Sequence, residues 1–181
     1  MEKITPLPST EFNTNKKYKK LIEQINYSRL SNYLINCGYL PQWLNFDSEG
    51  ADFVIFSYDQ TKIYKIQLKS RVTLDREYYG KGLYIAFPQD ETKPLSNWVI
   101  VDHDQMYDHW EKPKKYIENI INKNQQIDEY NQQLPQDGKK KHHQKPYWST
   151  KKTTKEQWQD CVDWSIIPPI NFQLVDGQSL S

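Results

Sequence analysis

The chain is poor in cysteine, in net charge and in long apolar runs. Its 181 residues include two cysteines, Cys37 and Cys161. Set so far apart, they predict small buried side chains in a reducing compartment rather than a disulfide. No Cys/His spacing suits a structural zinc site. The formal net charge is +1, so the chain is not a globally basic nucleic-acid binder, and any surface for a polyanion has to be local. No stretch is long enough to span a bilayer, and the N-terminus lacks an apolar signal-like segment, which predicts a cytoplasmic protein with no membrane partner. Apolar residues make up only 36% of the chain, but aromatics reach 14%. Tyrosine and tryptophan therefore do much of the burying, and their polar ends need partners. The length suits one domain with a core of its own.

Residues 1–15, with Pro6 and Pro8, read as an irregular lead-in. Over 16–37, Tyr18, Leu21, Ile22, Ile25, Leu30, Tyr33 and Leu34 recur at helical steps, and Gly38 suits the end of that helix. Tyr39 to Leu44 leads toward a strand, and 45–50 reads as a polar turn. Leu83 to Phe87 and Trp98 to Val101 are two further strands, the first stopped by Pro88. A helix capped by Asp102 or Asp104 follows, and a long helix is predicted over 113–133, with proline tolerated at its start. Residues 72–82 read as irregular. The polar segment 135–154 reads as an exposed or partly disordered loop. A last short helix over 154–162 turns Trp158 inward, and 166–170 is extended. The expected fold is α/β: a core over 16–112 with a mixed sheet flanked by helices, and a helical, polar extension over 113–181 packing back on it.

The chemically pointed stretch is Gly50 to Arg71, GADFVIFSYDQTKIYKIQLKSR. Phe53 to Phe56 is a short buried-strand run, and Tyr58-Asp59-Gln60-Thr61 carries turn chemistry. Ile63 to Lys69 alternates, so Tyr64, Ile66 and Leu68 share one face while Lys65, Gln67 and Lys69 share the other. The stretch is therefore a β-hairpin. Asp52 opens its first strand, and Gln67 and Lys69 close its second. An acid, an amide and an ammonium brought together there could hold a metal and a phosphate.

Gly50-Ala51-Asp52 followed by Ile66-Gln67-Leu68-Lys69-Ser70-Arg71 resembles the core of the PD-(D/E)XK nuclease superfamily, with Gln67 standing where an acid is usual. Gln-x-Lys variants occur there, including a group I intron homing endonuclease. The continuation through Leu74-Asp75 and Gly80-Lys81-Gly82-Leu83-Tyr84-Ile85-Ala86-Phe87-Pro88 is similar to a group of bacterial proteins with this core. The resemblance spans roughly residues 16–109 and implies a restriction-endonuclease-like fold and Mg²⁺- or Mn²⁺-dependent hydrolysis of DNA phosphodiesters. It implies Asp52 as the main metal ligand, with the Gln67 side-chain oxygen and the Leu68 carbonyl as further ligands. Lys69 would position water or stabilise the transition state. Many relatives add a Glu on the first helix, where Glu23 is the acid present. Glu49 and Asp47 are other sources of a second carboxylate. Cleavage of both strands implies a homodimer.

Arg71, Arg76, Tyr78 and Lys81 follow the hairpin directly and are candidates to grip phosphate or stack on bases. They read equally as a solvated connection. The run Lys139 to Lys145 suits either phosphate contacts or a soluble loop. Asp102, His103 and Asp104 look like a metal triplet, but capping explains the acids. His142 and His143 have no partner at ligand spacing. Two readings of the constellation stand: a nuclease, or a non-catalytic nucleic-acid-binding or protein-interaction module on the same fold. In the second, Asp52 and Lys69 form a plain interstrand salt bridge.

Overall fold

The computed structural model describes residues 19–92, 97–135 and 138–168. The lead-in 1–15, the first residues of the expected helix and the end of the expected extended tail lie outside them. The first helix, α1, runs Lys19–Asn36. Leu30 and Leu34 are fully buried on it, and Tyr27 and Tyr33 pack against the same cluster. Gly38 stops it with φ +81°, a left-handed conformation that favours glycine.

Five strands form the main sheet in the order β1-β2-β3-β5-β6. They are β1 (Tyr39–Ser48), β2 (Ala51–Ser57), β3 (Ile63–Leu68), β5 (Leu83–Pro88) and β6 (Trp98–Asp102). β3 and β5 are parallel, and the other neighbours are antiparallel. The sheet is therefore mixed and flanked by helices, as expected. In the β2–β3 turn, Asp59 accepts from Ser57 Oγ and from the Thr61 main-chain N–H. The left-handed residue there is Gln60, with φ 55°.

The expected polar turn over 45–50 is mostly strand. The turn itself is two residues, Glu49 at φ 58° and Gly50 at φ 95°, and two positive φ values suit a tight hairpin connection. Between Trp43↔Phe53 and Ser48↔Ala51 the register shifts. β1 thus carries a bulge opposite Asp52, and bulges commonly re-aim side chains beside functional sites.

The connection from β3 to the parallel β5 was expected to be irregular. It contains the strand β4 (Val72–Asp75) and a 3₁₀ turn, Arg76–Tyr78. β4 pairs with β7 (Tyr147–Thr150) in a second, two-stranded sheet. β7 lies in the segment expected to be a loop. Helices α2 (His103–His109), α3 (Glu111–Gln132) and α4 (Lys155–Trp164) complete the fold. Asp102 caps α2 by accepting from the N–H groups of Asp104 and Gln105. Thr154 and Gln157 form a capping box on α4.

The sheet separates two cores. On one face Phe53, Ile55, Ile66 and Ile100 meet α1. On the other, Ile85, Phe87, Val99 and Val101 meet β4 and the later helices. Cys161 is buried there, and burial pushes its thiol up, whereas Cys37 is exposed, against expectation, and both are free. Cys37 sits where α1 has ended and its chain turns outward into β1. Among the described residues no helix is long and apolar enough to cross a membrane.

The Lys-rich run is laid along α3 rather than loose in solvent. Asn124 Nδ2 donates to the Gln144 carbonyl while the Gln144 N–H donates to Asn124 Oδ1. Asn131 makes the same reciprocal pair with Lys141. Between them, His143 Nε2 lies 2.8 Å from Asp128 Oδ1. The spacing explains the match: two helical turns rise about 10 Å, and three extended residues span about the same length. Asn131→Ala is expected to cost no more than about 1 kcal/mol, because exposed neutral hydrogen bonds contribute modestly. It should nevertheless abolish amide-exchange protection at Lys141, measurable by hydrogen exchange with NMR.

Candidate active site

The second core stops short of β2 and β3, and the site lies on the sheet face it leaves open. A cleft of about 750 Å³ opens there. Asp52 and Gln67 lie on its floor, with Gly50 and Ala51 beside them. One wall holds Lys20 of α1 and Trp43 of β1; the other holds Glu77, Tyr78, Lys81 and Lys145.

The antiparallel register sets Phe53 opposite Ile66, so the next residues, Asp52 and Gln67, come together. Gln67, only 7% exposed, donates from Nε2 to Asp52 Oδ2 at 2.6 Å. The Leu68 main-chain N–H donates to the same oxygen at 2.7 Å. Burial pushes the Asp52 carboxyl above its usual range. The Leu68 hydrogen bond opposes that rise, and the negative charge of Glu23 adds to it. Glu23 stands one helical turn before Tyr27 on α1, on the stripe that faces the sheet, so the first-helix acid does reach the site electrostatically.

Lys69 does not pair with Asp52. Its Nζ lies 3.3 Å from the Tyr78 hydroxyl and 5.2 Å from the centre of that ring. The interstrand salt bridge is thus replaced by an ammonium held on an aromatic ring, and Lys69 influences Asp52 only through space. Tyr78 can lie so close because residue 50 is glycine: a Cβ there would stand 2.8 Å from the ring.

The wall carrying Tyr78 is pinned from behind. Asp75 caps the 3₁₀ turn by accepting from the Glu77 N–H. Lys145 bridges Asp75 at 2.9 Å and Glu77 at 3.2 Å, and hydrogen bonding to Asp75 pushes its ammonium up. His103, fully buried, accepts the Asp75 N–H at Nε2. Its proton therefore sits on Nδ1, 3.1 Å from Asp104 Oδ1. Burial holds His103 below its ordinary value, so it stays neutral as a strut.

Of the other candidates, Tyr78 and Lys81 line the cleft. Arg71 pairs with Glu91 at 3.5 Å, and Arg76 stacks on Tyr79 at 4.6 Å; neither lines the cleft. Glu49 lines it but is paired with Lys65 at 2.8 Å. Lys145, from the run Lys139 to Lys145, lines the cleft as well, and so do Lys20 and Trp43, whose spacing in the sequence gives no signal of convergence. Among the described residues no three His, Cys, Asp or Glu side chains gather as a metal cluster, which includes Asp102, His103 and Asp104.

The raised Asp52 has a consequence for stability. The folded state holds that proton more tightly than the unfolded chain, so stability falls as pH rises through the folded value. Asp52→Asn removes the half-buried charge and keeps an oxygen for the Gln67 and Leu68 donors. It should raise Tm at neutral pH, and the gain should shrink as pH falls toward about 3.9, the ordinary aspartate value. Thermal melts of both proteins across pH check this.

No known protein family, no curated protein and no solved structure matches the chain, so its chemistry has to be argued from this cleft.

Proposed function

We propose that the chain is a metal-dependent hydrolase of phosphodiester bonds in nucleic acid, with Asp52, Gln67 and Lys69 at its centre. The observation that supports this best is a half-buried carboxylate without an ion pair, Asp52, acted on through space by an ammonium that is held elsewhere, Lys69. A partly desolvated negative charge costs some free energy on its own, and a hard cation would relieve it. The donor set fits such an ion, held weakly. Asp52 would supply the carboxylate, Gln67 its side-chain oxygen and Leu68 its carbonyl, with Glu23 adding charge.

When bound, Mg²⁺ or Mn²⁺ supplies charge neutralisation on the phosphate and a more acidic water. The chain's own residues supply the rest. Lys69, fixed by the Tyr78 ring and hydroxyl, presents a positive charge where negative charge grows on the phosphate. Lys20 and Lys81 line the cleft and attract a polyanion, whereas Lys145 is engaged by Asp75 and Glu77. Glu23 acts on Asp52 from α1 through its charge and is the acid of that helix assigned to orient water.

The second reading, a non-catalytic binding module, has its own support: Gln67 and Leu68 already satisfy Asp52 by hydrogen bonding. Calorimetric titration of Mn²⁺ separates the two. Wild type should bind weakly, near the millimolar end of oxygen-ligand sites, and Asp52→Ala should not bind. Lys69→Ala should keep metal binding and lose cleavage by about 10²-fold or more. Gln67→Glu should bind Mn²⁺ more tightly. No heat from wild type at millimolar Mn²⁺, with or without DNA, would remove the nuclease reading.

A further inference from the structure

Like charges set side by side repel, so a run such as 139–145, KKKHHQK, resists being held in one place. Here it is held, and in a way that leaves three of its lysines unused. Asn131 and Asn124 bind the main chain, at Lys141 and at Gln144. The acids nearby are taken up by His143, which meets Asp128, and by Lys145, which meets Asp75 and Glu77. Lys139, Lys140 and Lys141 are exposed, and among the described residues none of the three has an acid within ion-pair distance. The Lys141 ammonium rests over the Tyr130 ring at 4.1 Å, a contact that leaves its charge in place. At its other end the run reaches the cleft, whose wall includes Lys145.

We infer that Lys139, Lys140 and Lys141 form a second contact surface for nucleic acid, a ridge along α3 that holds the phosphate backbone beyond the cleft. The inference rests on the proposal that the cleft acts on nucleic acid and adds where the flanking backbone lies. From Lys145 to Lys139 an extended chain covers about 20 Å. One strand of a duplex carries a phosphate about every 3.4 Å along its axis, so about six phosphates pass along such a ridge. The net charge of +1 gives the chain no general attraction for a polyanion. Contact therefore has to come from cations that are gathered in one place and left without acids. Because the main chain is already fixed, little ordering is lost on binding, which favours affinity. A membrane surface fits less well. The run has no apolar side chain to bury among lipid tails, and stable membrane anchoring takes an apolar signal as well as basic charge.

Fluorescence anisotropy with the full chain in EDTA tests this without any cleavage. The probe is a labelled DNA duplex of about 20 base pairs, long enough to reach past the ridge. Lys139→Ala/Lys140→Ala should bind it at least tenfold more weakly at about 50 mM salt. The salt slope should fall by about 1.8, since each phosphate contact contributes about 0.9. Lys62→Ala is the control: it removes a charge at the turn end of the hairpin, away from Asp52, and should leave the slope unchanged. Both variants should melt with wild type, because neither removes a side chain that holds the ridge to α3. An unchanged slope in the double variant, an equal fall per charge in Lys62→Ala, or no duplex binding at low salt would each overturn the inference. So would a double variant that keeps DNA binding and loses binding to phosphatidylserine vesicles. With no metal present, this inference and the nuclease proposal fail separately. Binding that depends on Lys139 and Lys140, by a protein that takes up no Mn²⁺, would remove the nuclease and leave the ridge. Mn²⁺ uptake with an unaffected double variant would do the reverse.

Discussion

The Asp52 carboxylate is half-buried at the end of a sheet, and much of the surrounding architecture is arranged around that charge. A carboxylate partly withdrawn from water gains from hydrogen bonds or a cation. Here two donors from the neighbouring strand, the Gln67 amide and the Leu68 N–H, converge on one oxygen. They are available only because the antiparallel register sets Phe53 against Ile66. A slip by one residue would send Gln67 into the α1 core and Ile66 onto the cleft floor. The hydrophobic alternation of β3 is thus also what fixes the polar contact.

The rest of the cleft is held by a second chain of contacts that never touches Asp52. It begins on α3, whose asparagines fix the 138–146 segment. That segment delivers Lys145 to Asp75 and Glu77. His103 holds Asp75 from inside the protein, and the 3₁₀ turn so fixed presents Tyr78 to Lys69. A lysine that lines the cleft is therefore also the staple of its wall. Its charge is largely answered by two acids, so it contributes less field to the cleft than Lys81 or Lys20. Among the described residues no buried side-chain polar atom lacks a partner, as a network this dense requires if it is to favour one arrangement.

Much of this was legible in the sequence where the signal is local. The period-two alternation of 63–69, the helical stripe ending at Gly38 and the cap at Asp102 each follow from a few adjacent residues. The hairpin also brought Asp52, Gln67 and Lys69 to one end of the sheet, as its alternation required. What could not be read depends on long-range pairing. β4 and β7 are four residues each, too short to carry a pattern, and each is a strand only because it finds the other. Asn124 and Asn131 look like solubilising residues until the segment they bind is laid beside them. The partner of Lys69 was missed for a similar reason. Charge suggested Asp52, but Tyr78 arrives from a 3₁₀ turn whose position the sequence does not announce. Arg71 and Arg76 follow the hairpin as closely as Tyr78 does, yet Glu91 and Tyr79 engage them away from the cleft.

Gln67 then becomes intelligible as a consequence of the same half-buried charge. An acid at that position would stand where an amide nitrogen now lies 2.6 Å from Asp52. Two carboxylates at that separation cannot both be ionised without a cation between them. One would take up a proton, or the strand ends would part. The amide removes that conflict by donating to Asp52, so the hairpin closes whether or not an ion is bound. The same exchange takes one negative charge from any metal site, and with it part of the affinity. Glu23 can return some of that charge only from across the α1 interface, where its effect on Asp52 is already felt as a further rise in the carboxyl's proton affinity. Lowering that rise is what a bound cation would do first. Cation uptake and the proton affinity of Asp52 are therefore linked, each opposing the other at the same carboxylate.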